Sequence, residues 1–450
     1  MTATETQTPA QAAVSAYLAE FPRFEAALPA EPPALRALRR QALARFAELG
    51  FPTAQQEEWR QTHLTSLAQQ RFVAPASDPE ALAPEQIAPY TFPAAAQLVF
   101  VDGRLSRRLS TLEVENLPPG AFVGGLSEAL ARAPELVEPY LGRFARLDNP
   151  FAALNTAYLG DGAFVYLPRG ADLGGPVHLL FLSSSENGQP TRSFPRNLVV
   201  TGEGSRLSLV ETYAGTGTYF CCPVTELVAG PNSVVDHYKV QRESRDSFHI
   251  ATFQVYGERS SVPSSHSISL GGGLVRNDVN AVLDGEGIDC ILNGLYLVEG
   301  RQHVDNHMRV EHAKPHCASH ELYKGILDGK ARAVFSGLIH VHKGAQKTDA
   351  KQSNRNLLLS RDAIANSNPQ LEIYADDVKC THGSTVGQLD DDAVFYLRSR
   401  GIGEDAARSL LTYAFASDIV ERIKVEPVRK DLEEFLFARL PKGEVVRQAV

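Results

Sequence analysis

The amino-acid sequence predicts a mainly β protein closed at both ends by helices. Three observations carry that reading. Apolar residues recur at helical spacing near the start, alternate with period two from about Ala163 to His382, and return to helical spacing after Asp390. Clusters of Gly, Asn and Asp at Gly271–Gly273, Asp284–Gly287 and Asn366–Pro369 punctuate the alternating span as turns. That span also far exceeds the ~100 residues of a sandwich domain. A stacked parallel β-helix accommodates the length, because each coil needs only its neighbours. With no crisp internal repeat, a large barrel or two sandwiches remain alternatives on pattern alone.

The elements follow in chain order. Between Pro32 and Gly50, Leu35, Leu38, Ala42, Phe46 and Leu49 form one stripe, with proline suited to the first turn and glycine just past the end. A second helical run is predicted through Gln55–Gln70. Pro75, Pro79, Pro84, Pro89 and Pro93 then space a connector that cannot hold a helix. Leu98–Val101 reads as a strand entering an Asp102-Gly103 turn. Short helices are expected between Leu126 and Leu147, ahead of the alternating strands. In Ala333–His342 the alternation puts Phe335, Ile339 and Val341 on one face. Asp390–Asp392 place acids before a helix over Ala393–Arg400 that Gly401 closes. Gly403-Glu404-Asp405 and Glu426-Pro427 open two more. Three segments result: 1–94, helical with the proline-rich connector; 95–388, the β core with its short helices near 126–147; and 389–450, helical.

Composition narrows the function. The 450 residues are 43% hydrophobic and 22% charged with a formal net charge of −9, which does not suit a nucleic-acid surface. No apolar run reaches the ~20 residues needed to span a bilayer, and Met1–Pro9 lacks the basic and apolar regions of a secretory signal. The five cysteines, Cys221, Cys222, Cys290, Cys317 and Cys380, are scattered without a CxxC. They read as reduced thiols of a cytoplasmic protein, with vicinal Cys221 and Cys222 as two buried thiols rather than a strained bridge.

The sharpest local candidate is Val378-Lys379-Cys380-Thr381-His382-Gly383. On a strand, Cys380 and His382 project to one side, and thiolate and imidazole both suit iron or zinc. Alternation carried back from Leu371, Ile373 and Ala375 puts the pair on the opposite, polar face with Glu372 and Tyr374, unless Asp376-Asp377 marks a corner that resets it. Two ligands leave a tetrahedral site unfinished, so further donors must come from elsewhere in the chain or from a partner. His303, His307, His312, His316, Cys317 and His320 form a second cluster, whose spacing matches neither a zinc finger nor a metalloprotease. His340 and His342 share one face and read as a solvent face. No phosphate loop, dinucleotide fingerprint or nucleophile elbow occurs, so pattern alone finds no enzyme. The alternative is a self-contained metal-dependent β-helix or barrel enzyme built on the His303–His320 cluster.

Several stretches together resemble the SufB/SufD family of the SUF iron–sulfur assembly system. They are Gly50-Phe-Pro-Thr53 with Glu58-Trp59-Arg60, Phe151-Ala-Ala-Leu-Asn-Thr156, Asp161–Tyr166, Val304–His307, Glu311-His312-Ala313 and Gly344–Asp349. The most specific are Asn354–Ser360, Pro369–Ala375, Val378–Gly387 and Phe395-Tyr-Leu-Arg-Ser-Arg-Gly401. The resemblance implies a right-handed parallel β-helix between helical ends, working as a non-catalytic scaffold. It implies a SufB-like partner paired through the β-helices, and a SufC-like ATPase docked on the C-terminal helices around Phe395, Leu397, Arg398, Arg400 and Gly401. A transient iron–sulfur cluster would form between subunits, with a histidine at the position of His382 and Cys380 as ligand or neighbour. It implies no tightly bound cofactor in the isolated chain, allows a flavin only in the complex, and leaves a homodimer open in isolation. Where SufB-like proteins carry a sulfur-receiving cysteine, Asn354 stands here, which favours the SufD type.

Overall fold

From Val234 to Gly387 the chain lays down strands of eight to ten residues, each hydrogen-bonded in parallel to the strand two places along the sequence. The computed structural model, which describes residues 8–28, 31–112 and 117–449, therefore forms two long sheets, of 10 and 11 strands, wound as a parallel β-solenoid of about 7 turns. Met1–Gln7, most of the stretch read for a secretory signal, lies outside the described residues. Among the described residues no helix is long and apolar enough to cross a membrane.

Register explains why the alternation is so legible. In-register parallel pairing stacks Val199, Leu227, Val255, Ala281, Val310, Ile339 and Leu371 into one inward column, buried in every coil but the last. Phe335, Ile339 and Val341 share that inward side, as the sequence predicts. At the N-terminal end the ladder stops on antiparallel strands. Ala96–Val101 turns back into Arg104–Leu112 at Asp102 (φ 51°) and Gly103 (φ 81°), and Phe122–Gly125 runs antiparallel to Ala163–Leu167. At the C-terminal end Ile364–Ile373 and Lys379–Gly387 are the edge strands of the two sheets.

Three expectations are corrected. Asn366–Pro369 is not a turn but the middle of the strand Ile364–Ile373, where an edge position tolerates a proline that lacks an N–H. Gln55–Gln70 is not one helix. It is a 3-10 turn, Glu57–Trp59, and a short helix, Thr65–Gln69, interrupted where Thr62 turns inward to donate to Asp305 Oδ2 at 2.6 Å. The proline-spaced connector does hold a helix, the short Pro84–Ile87, because a proline in the first turn gives up no intrahelical N–H bond. Ahead of these, the helix Pro9–Ala27 opens on a Thr8–Gln11 capping box and buries Tyr17 and Phe21.

The helices at both ends cover outer faces of the sheets. Tyr17, Phe46, Phe51 and Trp59 join Phe151, Phe194, Phe220 and Phe248 in one aromatic cluster. Ile419, Val420, Ile423, Leu432 and Leu436 close over Tyr238, Val240, Ile268, Leu295 and Ile326. Charged pairs are sealed inside, and one is buried completely. Arg196 and Glu226 are both fully buried with Nη2–Oε2 at 2.5 Å, and Glu226 also accepts from the amides of Gly142, Phe144 and Ala145. Removing one member leaves the other charge uncompensated. Glu226→Ala is therefore expected to lose about 3–5 kcal/mol in equilibrium urea unfolding, and a loss below about 1 kcal/mol would contradict this role for the pair.

Candidate functional site

The last coil positions Cys380 and His382. The strand Lys379–Gly387 pairs in parallel with Asp349–Leu358, setting Cys380 opposite Ala350 and His382 opposite Gln352. Ala350 and Gln352 point inward and are buried, so Cys380 and His382 continue interior columns. One column runs Cys290, Ser319, Ala350, Cys380 and the other His237, Ser265, Leu292, Glu321, Gln352, His382. Cys380 is half-buried, packed with Leu371 and Val378 against Ile339, Val341 and Ala375, while His382 is exposed. Residues 374–378 form the corner between the two sheets. The corner resets the alternation, so Cys380, His382, Leu371 and Ile373 all belong to the inward face rather than to opposite ones.

The rungs beneath this open end are polar. Gln352 donates to Glu321 Oε2 at 2.8 Å, Asn354 donates to Tyr296 Oη at 3.0 Å, and Asn356 donates to Asn354 Oδ1 at 2.7 Å. Burial raises the Glu321 carboxyl to about 7 and pushes the Cys380 thiol above its ordinary value. A thiol in that state is protonated at neutral pH and needs a metal or a cation to become a thiolate.

The other histidines are dispersed. His303 and His307 face outward on one sheet, His312 faces inward and meets Ser319 Oγ at 2.9 Å, and His320 lies on the other sheet. His316 sits in the loop between them at positive φ. His340 and His342 are neighbours on an outer face, their ring centroids 4.7 Å apart, with His340 Nδ1 2.8 Å from Glu372. Among the described residues, the group of three side chains able to hold a metal is instead Cys221, Glu243 and His249. Sequence reading missed it, because Cys221 is far along the chain from Glu243 and His249 and only the coiling brings it beside them.

The helix Asp391–Ser399 follows the open end. Asp390 caps it, accepting from the Asp392 amide at 2.9 Å, and Gly401 (φ 89°) ends it with amide bonds from Gly401 to Arg398 and from Ile402 to Leu397. Phe395 is 70% exposed and Tyr396 57%, unusual for aromatics without a partner. Arg400 lies over the Tyr396 ring, Arg398 meets Glu404 at 3.4 Å, and Leu397 is half-buried at the rim of a groove of about 620 Å³ with Leu411 and Phe437.

Residues 181–415 match the profile of the SufBD core domain of SUF system FeS cluster assembly, and residues 13–179 match that of the SufBD protein N-terminal region. The chain belongs to the SufBD family. It is 35% identical over 413 residues to an iron–sulfur cluster assembly SufBD family protein of Synechocystis, covering 89% of this chain and 90% of that protein. It is 31% identical to the iron–sulfur cluster assembly protein SufD of Escherichia coli, covering 90% and 92%, and 26% identical to SufD of Bacillus subtilis, covering 89% and 93%. SufBD motifs quoted from the sequence have structural partners here. Trp59 stacks on the Arg276 guanidinium at 3.8 Å, and Asn155 donates to the carbonyls of Pro195 and Cys222, both at 2.8 Å.

The interior carboxyl gives this SufBD fold a measurable pH signature. Folded Glu321 keeps its proton up to about pH 7, whereas the unfolded chain releases it near 4.5. Its contribution is therefore fully present below about pH 4.5 and is lost as pH rises through 7, by roughly 3 kcal/mol. Glu321→Gln is expected to remove that decline and raise the melting temperature at pH 8. An unchanged pH profile in the variant would contradict the assignment.

Proposed function

We propose that this chain is a non-catalytic scaffold subunit of a SUF iron–sulfur assembly complex, of the SufD type. It pairs through its last coil with a SufB-type subunit and lends His382, with Cys380 beside it, to a transient cluster assembled between the two. The observation that carries this reading is the open end. Interior columns run to Cys380 and His382 and stop there, leaving inward-facing side chains exposed on unpaired edge strands. A single imidazole and a single thiol do not complete the coordination of iron in a cluster, so the missing donors come from the partner. The cluster is cargo, and no resident cofactor is required of this chain. Without its partner the same edge is free to pair with a second copy.

Asn354 supports the SufD assignment. Its amide is committed to Tyr296 Oη and the Tyr323 carbonyl, and it offers no sulfur nucleophile. The SufC-type ATPase docks on the C-terminal helices, with Phe395 as apolar anchor, Leu397 at the groove, and Arg398 and Arg400 at the rim beside Gly401. A partly exposed aromatic flanked by arginines has the composition of an interface centre.

Two variants separate the surfaces. His382→Ala is expected to depress cluster maturation in the reconstituted complex while complex formation, by size-exclusion chromatography, is unchanged. Phe395→Asp is expected to weaken capture of the ATPase while the SufB-type partner stays bound. Full maturation by His382→Ala would sink the ligand role, and undiminished ATPase capture by Phe395→Asp would sink the docking assignment.

A further inference from the structure

Several coils before the open end, the interior holds a second set of ligand-type side chains unrelated to the scaffold reading. Cys221 ends the strand Tyr219–Cys221, which pairs with Phe248–Gly257 so that Cys221 lies directly beside His249. Glu243 enters from the corner after the strand Val234–Arg242. One ligand atom of each lies within 4.8 Å of the other two, and all three residues are buried.

The hydrogen-bond inventory at this place is incomplete. His249 is wholly buried, with Nδ1 2.8 Å from Glu243 Oε2, which also accepts from Gln241 at 2.9 Å, while Nε2 has no partner. A buried ring nitrogen without a partner costs free energy that a metal bond would recover. The Tyr213 ring packs against it at 4.9 Å and holds its plane. The Gly271–Gly273 turn makes room for Glu243, since a Cβ on Gly271 would fall 2.3 Å from the Glu243 carbonyl oxygen.

The neighbouring polar groups are engaged elsewhere. Lys239 donates to Asn277 Oδ1 at 2.6 Å, and His237 stacks on Phe253 and meets Ser265 Oγ at 2.9 Å.

We propose that Cys221 Sγ, the Glu243 carboxylate and a His249 ring nitrogen form a buried site for one divalent metal ion of borderline softness, zinc or ferrous iron. Mixed sulfur, nitrogen and oxygen ligands suit those ions and exclude magnesium and calcium. Because the donors come from three separate strands or corners, the ion cross-links the coils from within and loads as the chain folds.

The full-length protein tests this. It is unfolded with a chelator and refolded with zinc, or with ferrous iron under anaerobic reducing conditions, then dialysed and analysed for metal. About one ion per chain is expected to remain, with one sulfur among its scatterers by X-ray absorption. Cys221→Ser and His249→Asn are expected to lose the retained ion, whereas the double variant His340→Asn/His342→Asn keeps it. Absence of retained metal, retention undiminished in Cys221→Ser, or a retained ion without a sulfur scatterer each overturns the proposal. Should the variants fail to fold by circular dichroism, the wild-type sulfur signal decides.

Discussion

Every strand of the long sheets takes its hydrogen-bond partners from the coils on either side of it, and the rest of the molecule depends on that constraint. Buried backbone groups must be paired, so a parallel ladder has a cost wherever it stops. At the N-terminal end the cost is met inside the chain, where strands around Ala96–Leu112 and Phe122–Gly125 reverse direction and close the two sheets. At the other end no reversal occurs. Ile364–Ile373 and Lys379–Gly387 keep the register of the coils beneath them and present a free edge. Cys380 and His382 stand on that edge because they are the next rungs of columns that began far down the solenoid.

The interior changes character on the way to that edge. The column from Val199 to Ile339 is apolar throughout, and stacking it supplies the hydrophobic drive that holds the coils together. The facing sheet ends instead on Glu321, Gln352, Asn354 and Asn356, which bond among themselves and to Tyr296. Polar rungs below an exposed last coil limit the apolar area offered to water. They also leave the end suited to a specific partner rather than to indiscriminate sticking.

Much of this was legible in the sequence, for a physical reason. A period of two survives coiling, so Phe335, Ile339 and Val341 declare their face directly, and the caps at Gly50, Asp390 and Gly401 are local chemistry. The misreadings share one cause, distant contacts that outweigh local preference. Pro369 reads as a turn until the position is known to be an edge, and Gln55–Gln70 reads as one helix until Thr62 is seen turned inward to Asp305. Cys380 and His382 were recognisable as a pair, but their facing depended on a corner at residues 374–378 that alternation cannot reveal. Cys221, Glu243 and His249 gave no joint signal at all, since the coil repeat brings them together and that repeat is not visible as sequence self-similarity.

The central claim is that a second subunit completes the open coil. Hydrogen exchange of the amides in Lys379–Gly387 and Ile364–Ile373 measures it, in the isolated chain and in the complex with the proposed SufB-type partner. The account predicts rapid exchange at the outer edge alone and strong protection in the complex, concentrated around His382. Equal exchange in both states, with the complex demonstrably formed, would place the joint elsewhere and contradict the account.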